Sequence, residues 1–198
     1  ERYFEVAPLV VGNGLKTGMS IRYDNPKEIG ADRIVNAVAA IEQYGAPLII
    51  LDFGTATTFC VINDKKEYLG GAIAPGIGIS LNALVEKTAQ LPKVEMTVPD
   101  KVIGKTTVSA IQSGLLYGYC GLVDGMVHRI AEELGYNEKD ITVVATGGLA
   151  EVIHAHSHTI TEVDQMLTLK GLLTIYHRNE KLHHTKGVKP EQKDGALC

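Results

Sequence analysis

Leu51-Asp52-Phe53-Gly54-Thr55-Ala56-Thr57-Thr58 is the stretch of this 198-residue chain that says most about its fold. It follows the apolar run 47–51, and a short apolar run bounded by a polar turn predicts a buried strand. The carboxylate, the glycine and the three threonines indicate phosphate or cation chemistry at the strand end. Gly54 allows a ligand to approach the backbone, and turn N–H groups can form an anion-binding nest. The alternative is a plain hairpin turn between two strands.

Better-known phosphate-binding motifs are excluded. The letters D-F-G bind magnesium in protein kinases only alongside a glycine-rich loop, a V-A-I-K lysine and an H-R-D loop, none of which occurs in this sequence. There is no G-x-x-x-x-G-K-S/T motif, so a P-loop is excluded. Gly12-Asn13-Gly14 with Gly18 lacks the spacing of a dinucleotide-binding fingerprint.

The composition narrows the class of protein. With 45% hydrophobic residues the chain can bury a substantial core, and its net charge of −4 with no basic block predicts no nucleic-acid partner. No apolar run approaches the roughly 20 residues of a membrane helix, so we expect no membrane partner. The cysteines, Cys60, Cys120 and Cys198, match no zinc pattern and indicate a reducing, cytoplasmic setting.

Hydrophobic periodicity predicts an α/β fold. The predicted strands are 8–11, 48–53, 57–63, 67–74, 141–146 and 160–163. The predicted helices are 32–44, 78–90, 106–134, a short one after Gly147-Gly148, and 166–178. The order βββαβαβα from residue 47 predicts a mixed sheet with flanking helices.

That order is the one found in an actin-like ATPase domain, which is ribonuclease H-like and occurs in pairs with ATP in the cleft between them. We therefore expect 1–46 to be the C-terminal remainder of a first such domain, including a substrate loop. Residues 47–179 would form the second domain. The polar tail, 180–198, is expected to be disordered.

Four motifs in order resemble the type III pantothenate kinases. They are Gly30-Ala31-Asp32-Arg33, Asp52 to Thr58, Gly70-Gly71 with Pro75-Gly76, and Thr146-Gly147-Gly148. The resemblance covers about residues 5–178. It implies ATP-dependent phosphorylation of pantothenate to 4'-phosphopantothenate, the first step of coenzyme A biosynthesis, by a homodimer. The family's D-x-G-N-T phosphate loop is absent from this sequence, so we expect a chain truncated at its N-terminus relative to the family.

The resemblance implies that Asp32 is the general base. Phosphoryl transfer requires an oriented hydroxyl that loses its proton, and a placed carboxylate serves that step. The alternative is that Asp32 caps the helix it opens. Arg33 would pair with the substrate's carboxylate, since guanidinium binds carboxylates bidentately, and its alternative is a surface salt bridge.

Further substrate-binding positions implied by the resemblance are Gly30, Ala31, Tyr23 and Thr107. The two small residues would let the substrate approach the backbone. Tyr23 would line the pocket, or else be a packed surface tyrosine. Thr107 would reach pantothenate across the dimer interface, or else cap a helix. Apolar residues on the helix that follows Thr107 fit either burial against a second subunit or a monomer core. They are Leu115, Leu116, Tyr117, Tyr119, Leu122 and Val123.

The nucleotide side of the site is implied in the same way. Thr55 would contact the ATP phosphates, with magnesium as the companion ion. Asp52 would hold a monovalent cation, potassium or ammonium. Gly147-Gly148 could approach adenosine or phosphate, or be plain turn chemistry. Two other functions stay open on the sequence: a kinase of the same superfold acting on another small hydroxy or acid substrate, and a non-catalytic nucleotide-binding regulatory protein.

Overall fold

The computed structural model describes residues 8–12, 14–87 and 94–184, with side chains up to residue 180. They form a mixed sheet with helices on both faces. The strands are β1 Ser20–Ile21, β2 Leu48–Phe53, β3 Ala56–Ile62, β4 Glu67–Pro75, β5 Thr142–Thr146 and β6 Glu162–Val163. The helices are α1 Ala31–Tyr44, α2 Ile77–Glu86, α3 Thr107–Leu134, α4 Ala150–His154 and α5 Leu167–His184.

The strand order across the sheet is β1-β4-β3-β2-β5-β6. β2 lies in the interior, antiparallel to β3 and parallel to β5. In this register Asp52 lies beside Thr58 on one neighbour and Thr146 on the other. Side chains alternate along a strand, so residues paired in register share a face of the sheet. The mixed sheet predicted from the βββαβαβα order is confirmed.

The two faces of β2 bury separate cores. Ile49 and Leu51 point toward α2, α3 and α4, in a cluster that includes Leu116 and Val123. Leu48 and Ile50 point the other way, in a cluster with Ala37 and Ala40 of α1 and Leu167 of α5. Because Asp52 is two residues after Ile50, its carboxylate lies on the α1 face.

Helix α5 lies against α1 at a close crossing. A Cβ added to Gly171 would stand 2.1 Å from the carbonyl oxygen of Val35, a distance that only glycine permits. Val35, Val38 and Ile175 are buried together in this contact. At this crossing, side chains of α5 reach the side chains of α1 that lie near β2.

Several predicted boundaries need correction. The predicted strand 8–11 is wrong: these residues form no strand, because Val11 packs on the contact between α1 and α5, and Val10 is 75% exposed. Helix α5 extends to His184, so residues 180–184 of the expected disordered tail are helical. Residues 185–198 lie outside the described residues. Within the described part of the chain, no helix is long and apolar enough to cross a membrane.

The division at residue 46 stays a prediction. β1 is parallel to β4 and extends the sheet at its edge, while α1 lies on one face of the same sheet. Both elements precede residue 47, so they share the hydrophobic core on the α1 face with residues that follow residue 47.

Candidate active site

The Asp52 carboxylate is held at the end of β2 by its neighbours. Asn36 of α1 donates a hydrogen bond from Nδ2 to Asp52 Oδ2, at 3.2 Å. Gly147, at φ +92°, makes room on the other side, since a Cβ there would stand 2.8 Å from Asp52 Oδ1. A side chain at residue 147 would therefore collide with the carboxylate as well as strain the backbone.

The pKa of Asp52 is raised. Burial is the main cause and the nearby negative charge of Asp32 the second, while the hydrogen bond from Asn36 partly opposes them. A carboxylate whose charge is disfavoured by burial and by a like charge is stabilised by a cation, which neutralises both effects. The two oxygens of the Asp52 carboxylate could therefore hold a cation at this position.

Asp32 lies in the first turn of α1 and is exposed. Its Oδ1 accepts a hydrogen bond from the backbone N–H of Arg33 at 2.9 Å. The N-cap of α1 is Gly30, which makes no side-chain capping bond, so the capping alternative for Asp32 is wrong. A Cβ on Gly30 would stand 2.4 Å from Asp32 Oδ1, so a larger residue there would displace the exposed Asp32 side chain. The Asp32 carboxylate is left accessible near Asp52.

Arg33 is almost fully buried, at 8% exposure. Its Nε donates to the thiol of Cys60 at 3.3 Å, and its guanidinium lies 5.8 Å from the centre of the Tyr68 ring. No ion pair of the described residues includes Arg33, so the surface salt bridge is wrong. Burial opposes the charged form, but Cys60 and the two nearby tyrosines outweigh it and raise the pKa of Arg33.

Tyr23 stands beside this cation. It is half-buried and meets the Tyr68 ring edge-on, with centroids 6.4 Å apart. Gly70 approaches it closely, since a Cβ on Gly70 would lie 3.2 Å from the Tyr23 ring. Ala31, the first residue of α1, lines a neighbouring cavity of about 290 Å³. The predicted positions 23 and 30–33 therefore come together around the start of α1.

The turn between β2 and β3 is a hairpin, with Gly54 and Thr55 exposed at its tip. The Thr55 carbonyl accepts from the N–H of Gly76, which is the N-cap of α2. A helix N-terminus presents free N–H groups and a partial positive charge, both of which favour phosphate. Thr55 thus lies beside a helix N-terminus that is suited to an anion, which the sequence analysis did not include.

Thr107 lies apart from these residues. It is the first residue of α3, which packs on the sheet face opposite to α1 and Arg33. The capping alternative for Thr107 is wrong, because Thr106 is the N-cap and accepts from Ser109 N. Within one chain, the fold does not bring Thr107 to Asp32.

Two comparisons with known proteins indicate the same family for this chain. The sequence model of the type III pantothenate kinase family matches residues 1–129. A type III pantothenate kinase from Bacillus cytotoxicus is 57% identical over 187 residues, which is 94% of this chain and 70% of the relative. The chain belongs to the type III pantothenate kinase family.

One solved structure has a similar fold. It is described as a Baf family transcriptional activator from Campylobacter jejuni, with a TM-score of 0.56 and 20% identity, over 79% of this chain and 67% of that one. At that identity the likeness concerns the fold alone.

The sequence analysis did not identify four residues that lie beside the predicted site. Asn36 and Thr168 support Asp52, and Cys60 and Tyr68 surround Arg33. A signal for Asn36 was available, since it is the one polar residue in the stretch 34–41 of this helix and lies four positions after Asp32. Cys60 and Tyr68 gave no signal, because their roles arise from strand pairing.

The apolar residues of α3 belong to the core of the single chain. Four of the six named residues are buried against β2, β5 and α4: Leu115, Leu116, Tyr119 and Val123. The other two, Tyr117 and Leu122, are partly buried against the same cluster. The monomer-core interpretation therefore accounts for these residues, and the exposed side of α3 consists of other residues.

Proposed function

We propose that this protein is an ATP-dependent pantothenate kinase, which transfers the γ-phosphoryl group of ATP to the primary hydroxyl of pantothenate. The observation that carries the proposal is the arrangement at the start of α1. There an accessible carboxylate, Asp32, stands next in sequence to a buried cation, Arg33, and near Asp52. Among the described residues, Arg33 has no carboxylate in an ion pair with it. The 57% identity to a type III pantothenate kinase supports the same chemistry.

Asp32 acts as the general base in this proposal. Its carboxylate is exposed and held by the N–H of Arg33, so it can accept a hydrogen bond from the substrate hydroxyl. As phosphoryl transfer proceeds, the proton of that hydroxyl passes to the carboxylate. The Asp32 side chain thereby orients the nucleophile and takes up its proton.

Arg33 binds the substrate carboxylate. A buried guanidinium is costly unless an anion compensates its charge, and none of the described residues supplies a carboxylate to it. Pantothenate carries one carboxylate at the end remote from its primary hydroxyl. Tyr23, Gly30 and Ala31 would line the space between the two ends.

Thr55 and the N-terminus of α2 receive the ATP phosphates, with Gly54 allowing close approach to the backbone. Asp52 would hold a monovalent cation, potassium or ammonium, which would offset phosphate charge beside the hairpin. Magnesium would accompany the nucleotide, since phosphate oxygens supply most of its ligands in such sites. When bound, these cations neutralise charge on the phosphates during transfer.

We propose an actin-like arrangement for the fold, in which residues 47–179 form one of two related domains. Support comes from the three antiparallel strands β2, β3 and β4, which are followed by β5 and β6 in a mixed sheet. ATP would bind where the β2–β3 hairpin meets the N-terminus of α2. We also propose a cytoplasmic, reducing setting, because the thiols of Cys60 and Cys120 are free.

A homodimer is the final part of the proposal. The exposed side of α3 carries glycines at positions 114, 118, 121 and 125, and a Cβ added to any of them would meet nothing within 4 Å. Glycines at this spacing form one face of a helix and allow another helix to approach closely. A second subunit on that face could bring its own Thr107 toward the site of the first.

The test is a substrate panel with the full-length protein and ATP. We expect phosphorylation of pantothenate and none of simple sugars or short hydroxy acids, measured by ADP release and by the mass of the product. Phosphorylation of a sugar or short acid in preference to pantothenate would favour a different kinase. ATP binding without turnover on any acceptor would favour a regulatory protein.

A further inference from the structure

We propose that Cys60 and Tyr68 are positioning residues that hold the Arg33 guanidinium so that its two terminal nitrogens face the substrate carboxylate. The inference rests on the proposed function and identifies what determines carboxylate recognition at that site. It assigns a role to a buried thiol and a buried tyrosine on neighbouring strands of the sheet.

Cys60 fixes one edge of the guanidinium. Its thiol, on β3 and 2% exposed, accepts the hydrogen bond from Arg33 Nε at 3.3 Å. Nε lies at the base of the guanidinium fork, so a bond there sets the direction in which the fork points. Nη1 and Nη2 form no hydrogen bond with the described part of the chain. Two parallel N–H groups therefore stay available for bidentate binding of a carboxylate.

Tyr68 contacts both Arg33 and Cys60. Its ring, fully buried on β4, lies 5.8 Å from the Arg33 guanidinium carbon, within the range of a cation–π interaction. Its hydroxyl donates to the Cys60 thiol at 3.5 Å. Burial is the main cause that raises the pKa of Tyr68, so the hydroxyl keeps the proton that it donates. The tyrosine thus orients the thiol and stabilises the cation.

Strand register makes this arrangement possible. Cys60 pairs with Gly71 across β3 and β4, and Val61 pairs with Gly70, with a register shift between Val61 and Ile62. Gly71 lies so close to β3 that an added Cβ would stand 1.7 Å from the carbonyl oxygen of Phe59. The irregular pairing places Tyr68 and Cys60 on the α1 face together with Arg33.

The test compares two substrates that differ only at the carboxylate. Phosphorylation of pantothenate is compared with that of a pantothenamide, in which a neutral amide replaces the carboxylate, in the full-length protein. Cys60→Ala is expected to raise KM for pantothenate by roughly 10-fold, the scale of one hydrogen bond to a charged group, with kcat nearly unchanged. Turnover of the amide should not change. Cys60→Ser retains an acceptor and should restore most of the affinity.

The matched control is Cys120→Ala, which removes the other buried thiol from a position in α3. It should leave the preference for pantothenate over the amide unchanged. Tyr68→Phe keeps the ring and should lose less of that preference than Tyr68→Leu. Calorimetric binding of pantothenate and of the amide gives the same comparison without turnover.

The outcomes distinguish the two proposals. Pantothenate phosphorylation with the same preference in Cys60→Ala as in Cys120→Ala overturns the inference and leaves the proposed function intact. Equal losses for both substrates in Cys60→Ala also overturn it, because a merely structural role has that effect. Absence of pantothenate phosphorylation by the unaltered protein overturns both.

Discussion

Asn36 donates a hydrogen bond to the carboxylate of Asp52, over 3.2 Å. Its amide oxygen accepts from Thr168 Oγ1 of α5 at 2.7 Å, which requires that the amide nitrogen face Asp52. Asn36 is 2% exposed, so its amide has little freedom to turn. A helix late in the chain therefore determines which group the Asp52 carboxylate meets.

Replacement of Asn36 should change the pH profile of kcat/KM. In Asn36→Leu the hydrogen bond that opposes the raised pKa of Asp52 is lost, so that pKa rises further. If charged Asp52 is required, the acid limb of kcat/KM moves to higher pH, because a higher pKa keeps Asp52 protonated over a wider pH range. Thr168→Val should move it less in the same direction, and Thr168→Ser is the matched control. An unchanged acid limb in Asn36→Leu would contradict this role.

Asp32→Asn should abolish most of the activity with the fold preserved. Loss of a general base lowers kcat by about 10²–10⁴-fold. Thermal unfolding should change little, because Asp32 is exposed and Gly30 is the N-cap. Initial rates with saturating ATP and pantothenate provide the measurement. Near-normal turnover by Asp32→Asn would contradict the assignment of Asp32 as the general base.

Gly118→Leu is predicted to disrupt the proposed dimer. The added side chain points into open space in a single chain, so the monomer can fold, but it occupies the face on which a second helix would lie. Light scattering after size exclusion should show a fall from the dimer mass to the monomer mass. Glu151→Leu, an exposed change on α4, is the control and should keep the dimer. Equal masses for both variants would argue for another interface.

Asp124→Asn should destabilise the protein at neutral pH. Burial raises the pKa of Asp124, but bonds from Ser157, from the N–H of His158 and from Thr159 outweigh it and lower that pKa overall. A depressed folded pKa stabilises the fold above the unfolded value, about 3.9, and this contribution is lost as pH falls through the folded value. Urea unfolding should show a deficit at pH 7 that shrinks toward pH 3.

The control for this variant is Glu151→Gln, which removes an exposed carboxylate on α4. It should leave the free energy of unfolding nearly unchanged across the same pH range. A deficit in Asp124→Asn that is constant with pH would mean that the side chain contributes through shape and neutral hydrogen bonds alone.

The sequence predicted the centre of the sheet well. The strands β2, β3 and β4 lie within about two residues of their predicted bounds, because each has an apolar pattern that ends at a clear turn. The same reasoning was wrong for residues 8–11, an apolar run that forms no strand. It also missed β1, whose two residues are too few to show alternation.

The sequence by itself determined the family, the succession of three strands followed by helices and two further strands, and the short motifs around Asp32 and Asp52, because these depend on residues close together in the chain. Only the tertiary structure decided that Asp32 leaves the capping role to Gly30, that Arg33 is buried against Cys60 and Tyr68, and that Thr107 stands on the opposite face of the sheet. Such relations depend on strand register and helix crossing, which bring together residues from distant parts of the chain.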